Sequence, residues 1–228
     1  MTIVHCKKEP YDVYIGRKNK NLQQSKWANP FVIGKDGDRD FCIEKYELWL
    51  NTQPELLHSV GELNGRILGC WCFPDKCHGN ILEEYSSSAF IKNWFSNMLP
   101  MDTSFLYQGI EYKTSENFYQ AMKLPKENLV ARKEIADMTP YGAKRNIKKY
   151  TYRESWNQEE SLKVMEYILK IKFRPGTKFH KKLKMTEDWE ITEWNNWKDN
   201  FWGKDIQSGL GENHLGKLLM KIRDSGLL

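Results

Sequence analysis

The spacing of hydrophobic residues predicts alternating short strands and helices over the first part of the chain. Short apolar runs at Thr2–Cys6, Asp12–Ile15 and Arg66–Trp71 predict strands. Apolar residues at helical spacing predict helices over Asp40–Leu50 and Asn80–Tyr85. Strands that alternate with helices are typical of an α/β domain, so we predict a small α/β domain here.

Beyond residue 89 the pattern becomes mainly helical. A hairpin is predicted over Thr103–Tyr112, with its turn at Gln108-Gly109. The predicted helices that follow span 115–123, 127–137, 140–148, 159–173 and 214–224. A serine run just after Tyr85 marks a domain boundary. We therefore predict an α+β protein with a smaller α/β domain over 1–86 and, over 89–228, a mainly helical domain with a small β-sheet.

Composition narrows the class of protein. The 228 residues are 40% hydrophobic, which is typical of packed domains and argues against global disorder. No uncharged apolar run approaches the roughly 18 residues that span a bilayer, and the first residues lack the apolar core of a signal peptide. We expect a soluble, cytoplasmic protein with no membrane partner. The five cysteines are odd in number, which favours free thiols or a metal site over a disulfide framework.

Basic residues are concentrated in one part of the chain. Residues 113–184 hold 18 Lys or Arg and 8 Asp or Glu. Such a stretch favours a phosphate-bearing ligand or nucleic acid, because phosphates attract clustered positive charge. The alternative is a solvated helical surface with spare lysines.

The predicted helix at 115–123 has two distinct faces. Glu116, Gln120 and Lys123 lie at positions i, i+4 and i+7, so a carboxylate, an amide and an ammonium share one side. Phe118 and Met122 belong to the apolar side. The alternative to a functional face is the ordinary polar face of a surface helix.

Two further segments carry candidate chemistry. The first is Phe95-Ser96-Asn97, and the second runs from Phe201 to Gly216. In the second, Trp202 offers a stacking face, Asp205 offers a carboxylate, and glycines lead to Asn213 as the N-cap of a helix. If the three segments converge, they form a nucleotide site with an acid/base pair. The alternative is that the tryptophan and glycines make a tight turn over the core.

The order of these segments resembles the NADAR superfamily, the YbiA-like N-glycosidases, over about residues 90–225. The matching blocks include Phe95-Ser96-Asn97, Tyr112 to Lys123, Thr139 to Arg145, Lys172-Phe173, Phe201-Trp202-Gly203 and Asn213 to Met220. The family often has Trp-Gly-Asp, whereas Lys204 here stands before Asp205.

The resemblance implies hydrolysis of a bond between ribose C1′ and a base nitrogen, without a cofactor. It implies Glu116 as acid/base, Asp205 as second carboxylate, and Lys123 as phosphate ligand or as amine nucleophile. The implied ligand-binding residues are Phe95, Ser96, Asn97, Tyr119, Gln120, Trp202, Gly203 and Asn213.

The implied substrate is ADP-ribose attached to guanine in nucleic acid or a nucleotide, or a ribosylamino-pyrimidine intermediate of riboflavin biosynthesis. The basic stretch at 113–184 favours the first. The alternative to an enzyme is a nucleotide-binding sensor that binds such a ligand without turnover. By association with the preceding domain, we expect a setting in phage or bacterial defence, counter-defence or DNA repair; the oligomeric state stays open.

A compact cluster of cysteines and a histidine lies in the first domain. Cys70, Cys72, Cys77 and His78 are zinc ligand types, but adjacent ligands strain a tetrahedral site, so we favour a site without metal. Another interpretation is a polarised thiol or anion pocket. Its predicted residues are Arg17, Ser25, Lys26, Asn29, Cys77 and His78.

This half also resembles a domain family of unassigned function over about residues 3–85. The matching residues include Tyr14 to Arg17, Ser25 to Gly34, and Leu68 to Gly79. The resemblance supports a separate domain and implies no activity.

Overall fold

The structure is a computed structural model that describes residues 2–89 and 91–225. Contacts divide the chain into two compact units: Met1–Trp94 with Asp188–Asn213, and Phe95–Glu187 with His214–Leu228. We call these the first and the second unit. The predicted domain ends at Met1 and Leu228 lie outside the described residues. The predicted boundary kept 188–213 with the helical part, whereas these residues pack with the first unit.

A three-stranded parallel sheet organises the first unit. Its strands are β1 (Thr2–His5), β2 (Val13–Tyr14) and β3 (Ile67–Cys70), in the order β1-β3-β2. The register pairs Ile3 and Val13 with Leu68. All three strands fall within predicted runs, so the predicted strands are confirmed.

Helices pack around this sheet. They are α1 (Arg39–Leu50), α2 (Pro54–Ser59) and α3 (Gly79–Ser86), with a 3₁₀-helix at Val60–Leu63. The predicted helices correspond to α1 and α3. The six-residue α2 was not predicted, because it is too short to show helical periodicity.

The core of the first unit is formed by aromatic and aliphatic side chains, among them Trp27, Tyr46, Leu50, Leu63, Leu68 and Leu82. The Tyr46 hydroxyl donates a hydrogen bond of 2.9 Å to the Trp27 carbonyl. This bond satisfies a buried polar group and fixes the loop that precedes α1 against that helix.

The second unit begins with an antiparallel hairpin of β4 (Pro100–Tyr107) and β5 (Ile110–Thr114). Its turn residues, Gln108 and Gly109, have φ angles of 51° and 76°. Two consecutive positive φ angles are what a tight two-residue hairpin needs. The predicted hairpin and its turn are confirmed.

Helices make up the rest of this unit. They are α4 (Ser115–Ala121), α5 (Leu129–Asp137), α6 (Pro140–Asn146), α7 (Gln158–Lys172), α8 (Lys178–Met185) and α9 (His214–Asp224). Every predicted helix corresponds to one of these, and α8 was missed. The fold class is therefore α+β, as predicted. None of the helices in residues 2–89 and 91–225 is long and apolar enough to cross a membrane.

The segment 188–213 forms a compact loop structure in the first unit. Strands β6 (Trp194–Asn195) and β7 (Lys204–Asp205) pair in parallel. Gly203 packs so closely that an added Cβ would lie 2.1 Å from the Glu193 carbonyl oxygen. Only glycine allows this approach of two backbones.

Candidate functional site

The start of α4 is fixed by a network of buried polar groups. The Thr114 hydroxyl accepts a hydrogen bond of 3.1 Å from the Asn117 backbone N–H, which caps the helix. The Asn117 amide donates to the carbonyls of Ile135 (2.7 Å) and Met138 (2.9 Å). These bonds join the first turn of α4 to the C-terminal end of α5.

Glu116 is buried in that first turn, with 6% of its surface exposed. Its Oε1 accepts a hydrogen bond of 2.7 Å from Gln120 Nε2, and its backbone N–H donates to the Asn97 carbonyl at 3.1 Å. A helix N-terminus stabilises a carboxylate, and the Gln120 amide orients it. The structure thus brings together two of the three predicted segments: Phe95-Ser96-Asn97 and α4.

Lys123 follows α4 and stands among aromatic rings. Its Nζ lies 4.9 Å from the ring centre of Tyr119, 5.6 Å from that of Tyr152 and 5.9 Å from that of Trp156. Burial lowers the pKa of the Lys123 ammonium to about 8, although the charge of Glu116 opposes this shift. A lysine with a lowered pKa is an effective amine nucleophile, because more of it is neutral near neutral pH.

Buried polar atoms without a hydrogen-bond partner lie beside Glu116. Within the part of the chain that the structure describes, these include Asn97 Oδ1, Ser115 Oγ and Gln120 Oε1. Buried polar atoms usually have partners, so these three atoms mark the surroundings of Glu116 as a candidate ligand site. Asn97 and Gln120 are predicted ligand-binding residues, and Ser115 is an addition.

Lys172 is a positioning residue that the sequence did not single out. Its Nζ donates hydrogen bonds to the carbonyls of Phe95 (3.2 Å) and Ser96 (2.6 Å), and burial lowers its pKa to about 7. These bonds fix the backbone that leads to Asn97, whose carbonyl in turn receives the Glu116 N–H. Phe95 and Ser96 thus contribute through their backbone. The sequence did offer one signal of this role, since Lys172 occupies a position of α7 where the helical pattern calls for an apolar residue.

The aromatic wall around Lys123 was also missed. The Tyr119 hydroxyl shares a hydrogen bond of 2.6 Å with Ser161 Oγ, and the Tyr119 and Trp156 rings meet edge to face. The segment containing Tyr152 and Trp156 is tied to α4 because the Arg153 N–H donates to the Lys123 carbonyl at 2.8 Å. The clustered aromatic residues after 150 were a signal in the sequence.

Residues 201–213 of the third predicted segment belong to the first unit, and its last residues, from His214, begin α9 in the second unit. Asp205 Oδ1 accepts hydrogen bonds of 2.8 Å from both the N–H and the hydroxyl of Ser208. These bonds lower the pKa of the Asp205 carboxyl, which therefore stays ionised and closes a turn. The backbone N–H of Trp202 donates a hydrogen bond of 3.0 Å to Asp199 Oδ1. The Trp202 side chain contacts the Phe201 ring edge to face.

Gly203 and Asn213 serve the folding of the same loop. Gly203 and Gly211 are in backbone contact, since a Cβ on Gly211 would lie 2.1 Å from the Gly203 carbonyl. The Asn213 side chain, just before α9, accepts from the Glu193 N–H (3.0 Å) and donates to the Ile191 carbonyl (2.9 Å). Its amide therefore closes the loop onto 191–193.

A cavity of about 380 Å³ opens in the first unit. Of the residues predicted for this pocket, four line it: Arg17, Asn29, Cys77 and His78. Ser25 and Lys26 are not among the lining residues. Lys26 instead forms a salt bridge of 2.9 Å with Glu62, and Ser25 Oγ accepts from the Trp27 N–H.

The cysteines of this cavity lie together. The sulfur atoms of Cys70, Cys72 and Cys77 are all within 4.8 Å of one another. The neighbouring thiols of Cys70 and Cys77 lower the pKa of Cys72, whereas the neighbouring Cys70 and Cys72, together with burial, raise that of Cys77. The His78 Nε2–H donates to the Ile15 carbonyl at 3.0 Å, and burial lowers the His78 pKa, so the imidazole is neutral.

Comparison with known proteins agrees with both halves of this description. The chain matches the NADAR domain over residues 83–225, and therefore belongs to the NADAR family. This domain is preceded by a match to a domain of unknown function (DUF4326) over residues 4–88. The two predicted family resemblances are thus confirmed.

Individual relatives match parts of the chain. Uncharacterized protein R718 of Acanthamoeba polyphaga mimivirus is 40% identical over 83 residues, covering 31% of this chain and 63% of that protein. Riboflavin biosynthesis protein VVA0006 of Vibrio vulnificus (strain YJ016) is 30% identical over 154 residues, covering 66% of this chain and 36% of that protein. The chain thus spans less than two thirds of the length of each.

Among solved structures, the NMR structure of the E. coli protein YbiA is similar. It is 28% identical, with a TM-score of 0.48, and the match covers 62% of this chain and 78% of YbiA.

Proposed function

We propose that the second unit is an N-glycosidase that removes ADP-ribose from guanine in nucleic acid or a nucleotide. The observation that carries this proposal is the pairing of a buried carboxylate, Glu116, with an amine of lowered pKa, Lys123, in a chain of the NADAR family. A carboxyl group and a neutral amine are the two groups that cleavage of an N-glycosidic bond through an imine requires.

The chemistry follows from these two side chains. As the bond from C1′ to the base nitrogen breaks, the neutral Lys123 amine forms a bond to C1′, and the Glu116 carboxylate carries the proton that this amine loses to the leaving nitrogen. The bond from C1′ to the ring oxygen then breaks, the ring oxygen takes up a proton, and C1′ and the lysine nitrogen form an imine. Water then hydrolyses the imine, which returns the free lysine and releases the sugar. A carboxylate near C1′ also stabilises the positive charge that develops there.

Charge supports the choice of substrate. The stretch 113–184, with 18 basic and 8 acidic residues, surrounds both side chains in sequence. A diphosphate or a nucleic-acid backbone gains more from such charge than a small monophosphate does.

A second candidate is cleavage of a phosphoribosylamino-pyrimidine. It is favoured by the similarity to a protein named for riboflavin biosynthesis, at 30% identity over 154 residues. The proposed chemistry at C1′ would be the same, and only the leaving base and the phosphates differ.

The test is to offer the full chain an ADP-ribosylated guanine oligonucleotide and, separately, a ribosylamino-pyrimidine phosphate. We expect release of free ADP-ribose and an unmodified oligonucleotide from the first. Turnover of the ribosylamino-pyrimidine phosphate alone would reject ADP-ribosylated guanine as the substrate and favour the riboflavin-type candidate. Saturable binding of either without product would identify a sensor and overturn the enzymatic proposal.

A further inference from the structure

The cysteine cluster lies where α/β proteins bind ligands. Cys70 is the last residue of β3, the central strand of the parallel sheet, and Cys72 follows two residues later. Cys77 stands just before α3, and its sulfur accepts from the Gly79 N–H at 3.4 Å. The crevice outside the carboxyl ends of parallel strands is the usual ligand position in open α/β sheets. Topology therefore places three thiols at a binding position.

The sulfur positions fit a single metal ion. Zinc–sulfur bonds of about 2.3 Å in a tetrahedron place the sulfurs about 3.8 Å apart. Here the three sulfurs lie within 4.8 Å of one another, so a contraction of about 1 Å at most completes the site. A [4Fe–4S] cluster binds each cysteine through a different iron and needs a wider spacing of the sulfurs. All five cysteines are free, so no disulfide uses these thiols.

Basic side chains line the cavity around the thiols. They are Arg17, Arg39 and Lys76, of which Arg39 also pairs with Asp75 and Lys76 with Asp40, each at 3.0 Å. Metal-bound thiolates carry negative charge, which these cations offset. The His78 Nδ1 lies 3.6 Å from the Cys77 sulfur, although His78 is not among the residues whose ligand atoms gather within 4.8 Å. The strain expected from the sequence concerned Cys77 and His78 as neighbouring ligands. It does not arise when only the three thiolates bind the metal.

We infer that Cys70, Cys72 and Cys77 bind one zinc ion, with the fourth coordination position open to the cationic cavity. Three protein ligands and one exchangeable position are the arrangement of reactive rather than purely structural zinc sites. The fourth ligand is an oxygen atom, from water or from an anion that Arg17 and Arg39 attract. This site is independent of the function proposed for the second unit.

Metal analysis of the full chain is the first test. We expect one zinc per chain after purification without added chelator, and X-ray absorption with three sulfurs at about 2.3 Å and one oxygen. A chain without stoichiometric metal that also fails to take up zinc or cobalt after reduction would overturn the inference. Stoichiometric iron or copper, or four sulfur ligands, would do the same.

Single substitutions then locate the site. Cys72→Ser should abolish stoichiometric zinc, whereas Cys42→Ser should retain it, because Cys42 lines the same cavity but is not in the cluster. His78→Ala should retain zinc with three sulfur ligands. Loss of zinc from a folded His78→Ala chain would establish a closed site with histidine as the fourth ligand and overturn the open position. The X-ray absorption spectrum of the wild-type chain identifies the zinc ligands even if a variant fails to fold.

Discussion

Helix α4 and the loop 199–213 carry similar residue types and use them in opposite ways. In α4, Glu116 is buried, and among the described residues Ser115 Oγ and Gln120 Oε1 have no hydrogen-bond partner. In the loop, Asp205 closes its own turn through Ser208, and Asn213 bridges two backbone groups. The first region thus has buried hydrogen-bonding groups that its own fold does not use, whereas the second uses such groups to fold.

This difference shows that the role of a carboxylate depends on its hydrogen-bond partners as well as on its place in a motif. Glu116 lies in a block that matches the family, whereas Lys204 separates Asp205 from the Trp-Gly pair that the family often continues with Asp. The two carboxylates also differ in what binds them. Asp205 accepts two hydrogen bonds from one serine within its own turn, which is the ordinary local role of aspartate. Glu116 is instead fixed by a neighbouring helical turn and by the backbone of Asn97, which orients it without closing a turn. Four substitutions would break or sharpen this comparison.

The largest expected effect is that of Glu116→Gln. The amide cannot transfer a proton, so we expect turnover to fall by about 10²–10⁴-fold. Thermal unfolding should change little, because the amide keeps an oxygen that accepts from Gln120. Product release and thermal unfolding are measured side by side, with exposed Glu127→Gln as control. Full activity in Glu116→Gln would remove Glu116 from the mechanism.

The next effect concerns Lys123→Arg, which keeps the positive charge and removes the nucleophile. Borohydride should trap substrate on the wild type and not on the variant. The pKa of Lys123 is lowered to about 8, so the neutral amine, and with it the trapping rate, should increase as pH rises through that value.

Exposed Lys126→Arg serves as the control for the trapping experiment. Equal trapping in the Lys123→Arg chain would show that another amine reacts. In that case, a raised KM in the same variant would assign Lys123 to the phosphates.

A third substitution addresses the loop as a folding element. Gly203→Ala places a methyl group 2.1 Å from the Glu193 carbonyl, and we expect it to lower the free energy of unfolding by about 1–3 kcal/mol. Gly61→Ala is the matched control, because no atom lies within 4 Å of its added Cβ. Denaturant unfolding of both variants checks this. Equal stability of the two would mean that close backbone packing is not what Gly203 provides.

The smallest effect is expected for Asp205→Asn. The amide oxygen still accepts from Ser208, so turnover should stay within about threefold of the wild type. The measurement is the same product release as for Glu116→Gln. A loss as large as in that variant would make Asp205 the second catalytic carboxylate that the family resemblance implied, and would end the contrast between the two regions.

Local pattern predicted most of the fold. The long apolar stripe of α7 and the Gln108-Gly109 turn were readable because helix period and turn conformation depend on neighbouring residues. Helices α2 and α8 were missed, because α2 has six residues and α8 is mainly lysine on its exposed side. For the candidate site, Glu116 and Gln120 were predictable from spacing within α4, and Lys123 from the same spacing continued just past its end at Ala121.

The rest of the site depends on contacts between distant residues. The bond from Lys172 to Ser96 joins positions 76 residues apart. No local pattern in the sequence identifies Ser96 as the partner of Lys172. The same holds for Tyr119 and Ser161, which are 42 residues apart. Such pairs form only when helices pack, so their partners cannot be read from spacing.

The sequence by itself determined most of the secondary structure, the polar face of the predicted helix at 115–123 and the membership of the NADAR family, because these depend on local periodicity and on ordered motifs. Only the tertiary structure decided which polar groups remain available for a ligand. It closed Asp205 and Asn213 into their own loop, surrounded Lys123 with aromatic rings, and brought three thiols together at one sheet edge. Burial and hydrogen-bond partners arise from packing between distant segments, and they decide which side chains are free to react.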